Sequence, residues 1–253
     1  MRYANLFKNL ANGHLYLAVK FGLSHADPLR FVTRRGVSVE VPRRLLQTFK
    51  EIFMDECYLT GLEFPLPAGP TVLDIGANAG YFSLYALSRF PGARVFAFEP
   101  VPANFRLLSH QREINPQADL TTINRAVAGR EGELELALDA ADAYTTSATV
   151  LGSASGQPHT IRVPATTLGS VFAEFGIERC DLLKLDCEGA EYDILYHCPA
   201  ADLARIRQIA MEAHPGPGPR ENIEALEAFL HTRGFETRRR PVGMLWAWRK
   251  DGP

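Results

Sequence analysis

The stretch Thr71-Val72-Leu73-Asp74-Ile75-Gly76-Ala77-Asn78-Ala79-Gly80 decides how this chain is read. Its first half is a short apolar run of the kind that forms a strand buried on both faces. Its second half is a glycine-rich turn, and Tyr81 to Arg89 continues it as a helix. Glycines permit positive φ and let a ligand approach the backbone closely. Asn78 stands where the GxGxxG dinucleotide fingerprint has its second glycine, and the Asp74 carboxylate would repel a pyrophosphate. The next apolar strand, Arg94 to Phe98, ends at Glu99. That position is near the ~20-residue offset at which a carboxylate takes a ribose hydroxyl pair. A ribose carboxylate beside a turn suited to a positive, phosphate-free tail fits S-adenosylmethionine.

The same alternation runs outward from this stretch. Pro102 to Ile114 is a helix with proline at its start, where the missing N–H costs least. Leu120 to Val127 is a third strand, and Glu133 to Leu138 a hairpin strand after the turn at Gly129 to Gly132. Beyond a polar loop from Thr145 to His159 come Ile161 to Ala165 and a helix over Leu168 to Phe175. Asp181 to Leu185 and Ile206 to Glu212 are strands, each followed by a helix (Ala190 to His197, Arg220 to Arg233). Phe235 to Arg240 and Met244 to Arg249 are the closing strand pair. Strands alternating with helices imply an α/β fold whose mostly parallel sheet is covered on both faces, with ligands at the carboxyl ends of the strands.

Residues 1–70 differ. Asn5 to Phe21 and Pro42 to Glu56 have helical apolar spacing, Phe31 to Val41 alternates as a hairpin around Arg35-Gly36, and Phe64 to Pro70 is proline-rich. This predicts a mostly helical accessory segment, 1–70, packed on a main domain, 71–253. Three roles stay open for it: a lid, a contact between two copies in a homodimer, or a substrate platform.

The composition bounds the partners. The chain has 253 residues, 27 basic against 29 acidic, for a formal net charge of −2. That balance gives no basic footprint for nucleic acid. The most apolar run, Leu15 to Leu23, is short of the ~20 residues of a membrane span and carries Lys20. No secretory signal is read at the N-terminus, and the four cysteines show no CxxC spacing, so a cytoplasmic, thiol-reduced protein is expected.

Three ordered blocks carry a family resemblance: Asp74-Ile-Gly-Ala-Asn-Ala-Gly-Tyr-Phe-Ser, Phe98-Glu99-Pro100-Val-Pro-Ala-Asn104, and Asp181-Leu-Leu-Lys184-Leu-Asp186-Cys-Glu188-Gly189-Ala-Glu191. Together they resemble the FkbM family of S-adenosylmethionine-dependent methyltransferases. The resemblance implies a Rossmann-like seven-stranded sheet with an antiparallel last strand. It also implies O-methylation of a hydroxyl on a sugar, polyketide or other small metabolite, so a small-molecule or glycan acceptor. It places Gly76, Asn78 and Gly80 around the methionine part of the cofactor, Glu99 on the ribose hydroxyls and Pro100 to Asn104 along the adenosine. Asn124-Arg125-Ala126 would lie near the adenine edge. Asp74, Tyr81, Phe82 and Asp186 complete the cofactor-contact candidates. Gly169 departs from the aspartate common in the family's Thr-Leu-Asp element, and residues 1–70 lie outside the resemblance.

The reaction-centre candidates are Lys184, Asp186, Glu212 and His214. Strand alternation puts Lys184 and Asp186 on one side, and charges at the end of an apolar strand are expensive unless paired or functional. Glu188 is the expected partner of Lys184, and Glu191 either caps its helix or joins the site. Glu212 and His214 share a face at the end of their strand, where the family often carries an acidic–x–His element. His214, with an ordinary pKa near ~6.5, suits a general base. Alternatively, Asp186, Glu212 and His214 hold a divalent metal such as Mg. Tyr144-Thr145-Thr146-Ser147 is a weaker candidate for the acceptor wall, and Trp246 and Trp248 are expected to pack under a helix. The rivals are a nicotinamide oxidoreductase, an N-methyltransferase and a non-catalytic methyltransferase-like scaffold.

Overall fold

The structure is a computed structural model describing residues 2–138, 148–150, 159–240 and 243–250. The accessory residues form helices α1 (Arg2–Asn9) and α2 (His14–Lys20), strands β1 (Leu29–Val32) and β2 (Ser38–Val41) of an antiparallel hairpin, and helix α3 (Leu46–Phe53). The single helix expected over Asn5 to Phe21 is broken between α1 and α2. There Leu10 bridges to Thr33 and the Ala11 N–H donates to the Val32 carbonyl, so the backbone pairs with the hairpin instead of its own next turn. A 3-10 turn over Arg43–Leu45 follows Pro42 and delays the start of α3. Phe49 of α3 stacks on Phe31 and Phe53 with ring centroids 4.4 and 4.7 Å apart. Burial of each ring contributes roughly 2 kcal/mol.

The remaining elements are β3 (Thr71–Ile75), α4 (Tyr81–Arg89), β4 (Arg94–Phe98), α5 (Pro102–Glu113), β5 (Leu120–Ile123), β6 (Ala126–Val127), β7 (Gly132–Leu138), β8 (Ala148–Val150), β9 (His159–Thr166) and α6 (Leu168–Glu174). They continue with β10 (Cys180–Leu185), α7 (Glu191–His197), α8 (Ala200–Leu203), β11 (Ile206–Glu212), α9 (Ile223–Thr232), β12 (Phe235–Arg239) and β13 (Met244–Arg249). Seven strands make one sheet in the order β12-β13-β11-β10-β3-β4-β5. The last strand, β13, runs antiparallel to both neighbours, and the other pairings are parallel. This is the Rossmann-like sheet expected from the sequence. The chain leaves β3 through β4 and β5 and returns to β10 on the other side of β3. The carboxyl end of β3 is therefore the switch point where a crevice opens.

Pleating divides the sheet into two cores. Val72, Val95, Leu182, Ala210 and Trp246 face the accessory segment and α4. Leu73, Phe96, Leu183, Ile209 and Leu245 face α6, α7 and α9. Trp246 lies in the core shared with α3 and α4, and the loop after α3 also covers it. Its indole N–H donates to the Tyr58 carbonyl at 2.7 Å, and a Cβ on Gly61 would lie 2.2 Å from its ring, so the loop after α3 presses directly on it. The Gln208 side chain, also buried, bonds the backbone of Glu63 and Phe64.

Two strand expectations change. The strand expected over Leu120 to Val127 is split, because the Asn124 side chain donates to the carbonyls of Glu99 and Pro100 and turns the chain. Beyond that turn, Ala126 and Val127 join a second sheet of order β6-β9-β7-β8. Within it β7 is not a hairpin partner of β6: β9 lies between them, parallel to β6 and antiparallel to β7. β7 does pair antiparallel with the next strand, β8, as a hairpin strand would, and its other neighbour, β9, comes from more than twenty residues downstream.

Candidate active site

Gly76, just after β3, has φ +74°, and a Cβ there would stand 1.9 Å from the Asp186 carbonyl oxygen. Only glycine lets the ends of β3 and β10 come this close. The Gly76 and Ala77 N–H groups donate to the Phe98 carbonyl at 3.0 and 2.9 Å, fixing the turn against β4. Asn78 has φ +50°, a conformation asparagine tolerates better than most residues, and its N–H donates to Glu99 Oε2 at 2.8 Å. Glu99 Oε1 accepts from the Val101 N–H at 2.9 Å. Burial raises the Glu99 pKa to about 7, against the opposing pull of those two N–H groups. A buried carboxylate aimed by backbone thus stands beside an apolar slot of Val101, Ala126, Val127, Leu134 and Leu136. Arg125, at the rim, pairs with Glu174 at 2.7 Å.

Not every cofactor candidate reaches this cavity. Asn78, Tyr81, Phe82, Glu99, Pro100 and Asn104 line it, as do Gly76, Arg125, Ala126 and Asp186. Asp74 does not, being fully buried: it accepts from the Ser83 hydroxyl at 2.6 Å and lies 3.1 Å from the Lys184 ammonium. Gly80 is also absent from the wall. Its φ of +82° starts α4, and Leu108 packs where its side chain would be.

At the other end, Lys184 is buried between Asp74 and Asp186 and donates to the Gly76 carbonyl at 2.7 Å. Burial lowers its pKa, but the two carboxylates outweigh that and raise it, so it is a fixed ammonium. Its expected partner Glu188 is engaged elsewhere. Glu188 sits at φ +52°, and its Oε2 lies 3.6 Å from His214 Nε2. Glu191 both caps and orients: its carboxylate accepts from the Cys187 N–H (2.7 Å) and Gly189 N–H (3.0 Å) while Oε1 lies 3.2 Å from His214 Nδ1. Burial lowers the His214 pKa, yet Glu191, Glu188 and Asp186 together raise it to about 9. His214 on its own is therefore imidazolium at neutral pH, and not the free base that its ordinary pKa suggested. Asp186, Glu212 and His214 converge, with ligand-type atoms all within 4.8 Å of one another.

One cavity of about 500 Å³ joins the two ends. The accessory segment adds Thr48, Glu51 and Ile52 of α3, then Cys57 and Tyr58, and β13 adds Met244. The Tyr58 hydroxyl donates to Asp186 Oδ2 at 2.7 Å. These residues, with Leu134 and Leu136, were missed by sequence reasoning. Thr48 and Glu51, one turn apart on the helix, were the only available signal. Burial lifts the Cys57 thiol to about 12, so it stays neutral. Tyr144-Thr145-Thr146-Ser147 lies outside the described residues. No described helix is long and apolar enough to cross a membrane.

Comparison with known proteins gives a consistent picture. A family model described as the Methyltransferase FkbM domain matches residues 74–237. The chain is similar to the 31-O-demethyl-FK506 methyltransferase FkbM of Streptomyces tacrolimicus, with 32% identity over 213 residues, 74% of this chain and 80% of that protein. It is 34% identical over 233 residues, 78% of this chain, to the AMB antimetabolite synthetase AmbE of Pseudomonas aeruginosa, of whose length the match spans only 11%. The crystal structure of methyltransferase FkbM from Methylobacillus flagellatus KT shares the fold at TM-score 0.52 and 11% identity, covering 81% of this chain and 54% of that one. With its model matched from the glycine turn to the closing strands, this chain belongs to the FkbM family of S-adenosylmethionine-dependent methyltransferases.

Proposed function

We propose that the chain methylates a hydroxyl oxygen of a small metabolite of the sugar or polyketide kind. The observation that carries this is a single cavity with a nucleoside-type site at one end and a cluster of proton-accepting side chains at the other. The name of the 31-O-demethyl-FK506 relative, which puts the methyl on an oxygen, supports the choice of acceptor atom.

Bound in this cavity, S-adenosylmethionine supplies a methyl group already activated by the positive charge of its sulfur. The chain then has to align two partners and remove a proton. Glu99 would accept hydrogen bonds from the ribose hydroxyls, and the slot of Val101, Ala126, Val127, Leu134 and Leu136 would take the flat base. Lys184 holds the Gly76 carbonyl and ties Asp74 to Asp186, which makes it a positioning residue rather than a base. The acceptor hydroxyl belongs against Asp186, Glu212 and His214. Burial raises the proton affinity of Glu212, which suits it to take the hydroxyl proton while His214 is already charged.

One observation favours a second reading. The carboxylates of Glu51, Asp186, Glu188 and Glu212 on the cavity wall would also attract an amine, so N-methylation belongs in the same test. The purified chain is titrated calorimetrically with S-adenosylhomocysteine, then incubated with S-adenosylmethionine and matched panels of neutral alcohols and amines. Formation of O-methyl products supports the proposal. Methylation of amines alone would replace it with N-methyl transfer, and failure to bind S-adenosylhomocysteine would favour the non-catalytic scaffold.

A further inference from the structure

We propose that Asp186, Glu212 and His214 form a divalent-cation site at the acceptor end of the cavity. Its role, holding the acceptor oxygen, rests on the methyl-transfer reading; the binding itself does not.

The donors come from two adjacent parallel strands. Leu185 of β10 is in register with Met211 of β11, so Asp186, just past β10, and Glu212, the last residue of β11, stand side by side at the strand ends, with His214 two residues on. Their donor atoms lie within 4.8 Å of one another. Ligands bound at about 2.1 Å sit roughly 3 to 4 Å apart, so closing on an ion takes side-chain shifts of about 1 Å. Each donor is prepared by something outside the triad. Tyr58 occupies Asp186 Oδ2, which leaves Oδ1 for an ion. Glu191, fully buried and pinned by two backbone N–H groups, engages His214 at Nδ1, and Nε2, now 3.6 Å from Glu188, would give up its proton to take an ion. A carboxylate on the far nitrogen is the usual support for a metal-bound histidine.

Glu212 is the observation that asks for a ligand. Among the described residues its half-buried carboxylate makes no hydrogen bond and no ion pair, although it lines the cavity. The nearby ammonium of Lys184 is turned to Asp74 and Gly76. Five carboxylates (Glu51, Glu99, Asp186, Glu188 and Glu212) line the cavity against Arg125, Lys184 and His214, leaving negative charge that a dication would balance. Two carboxylate oxygens and one imidazole nitrogen, with the remaining positions open to solvent or substrate, suit Mn²⁺ or Mg²⁺. A hydroxyl bound to such an ion is held in place and made more acidic.

The test uses the full chain with saturating S-adenosylhomocysteine and Mn²⁺ as the probe, read by electron paramagnetic resonance. One Mn²⁺ per chain is expected, with affinity falling by roughly tenfold or more in Glu212→Gln and in His214→Gln. S-adenosylhomocysteine binding, measured on the same samples, reports that each variant is folded. In the unsubstituted chain, Mn²⁺ should also broaden the imidazole resonances of His214 before those of the other histidines. If S-adenosylhomocysteine binds but Mn²⁺ does not up to millimolar concentration, the cation site is overturned and the methyl-donor reading stands. Mn²⁺ binding unchanged in both variants, or broadening that spares His214, overturns it as well. Mn²⁺ binding without S-adenosylhomocysteine binding would leave the cation site intact and remove the methyl-donor reading.

Discussion

The two ends of the cavity are built by different means. At the Glu99 end the work is done by backbone: a glycine turn, two N–H groups on one carboxylate and an apolar slot, nearly all from residues 76–136. At the His214 end it is done by side chains drawn from the accessory segment, β10, the start of α7 and the end of β11. Backbone can hold one ligand in one pose with little dependence on side-chain identity. A side-chain cluster can be changed residue by residue. The lesson is that cofactor and acceptor recognition should be separable by mutation.

The largest expected effect is at the acceptor end. Glu212→Gln should reduce turnover by roughly a hundredfold or more, the usual scale for a proton-transfer or cation-holding group, while S-adenosylhomocysteine affinity moves less than about threefold. Steady-state kinetics beside calorimetry checks this, and equal losses in both would break the comparison. Glu99→Ala should do the reverse, weakening S-adenosylhomocysteine by about 3 kcal/mol, roughly a hundredfold, through loss of charge-assisted hydrogen bonds.

A pH titration sharpens the same contrast. Ribose hydroxyls donate to the ionised carboxylate, and Glu99 in the free chain has its pKa raised to about 7. Ligand binding therefore pulls Glu99 toward the ionised form, so affinity should rise from pH 6 to 8 by roughly tenfold and level off above. Below pH 7 binding should release close to one proton, which calorimetry in buffers of different ionisation enthalpy detects. Affinity that falls as pH rises through 7 would contradict this role for Glu99.

Tyr58→Phe should lower turnover by roughly fivefold, with cofactor affinity unchanged, because one hydrogen bond to the Asp186 carboxylate is lost. A drop in both would mean that the accessory wall supports the whole cavity. Gly61→Ala reads on stability instead. Its Cβ would meet the Trp246 ring at 2.2 Å, so a loss of about 1–3 kcal/mol is expected in denaturant melts. An unchanged melt would show that the accessory segment is not pressed onto the sheet.

The same contrast explains what was legible in the sequence. Gly76, Asn78 and Glu99 act through contiguous turns at strand ends, and a turn leaves its signature in local order. Asp186, Glu212 and His214 were legible as polar residues closing apolar strands. The partners of these groups were not. Lys184 pairs with Asp74 because β3 and β10 are adjacent and in register, which no local pattern records. Glu188 is near Lys184 in sequence, yet at positive φ its carboxylate stands beside His214. Tyr58 lies 128 positions from Asp186, outside every motif, and only tertiary packing reveals it. The raised pKa of His214 is hidden from the sequence for the same reason, since it depends on acids brought in by the fold.

The most direct test of separable ends is calorimetry with S-adenosylhomocysteine on three proteins: the unsubstituted chain, Glu99→Ala and Glu212→Gln. Binding of comparable strength in the first and third, with loss of roughly a hundredfold in Glu99→Ala, is the predicted result. No binding to the unsubstituted chain, or an equal loss in Glu212→Gln, would contradict it.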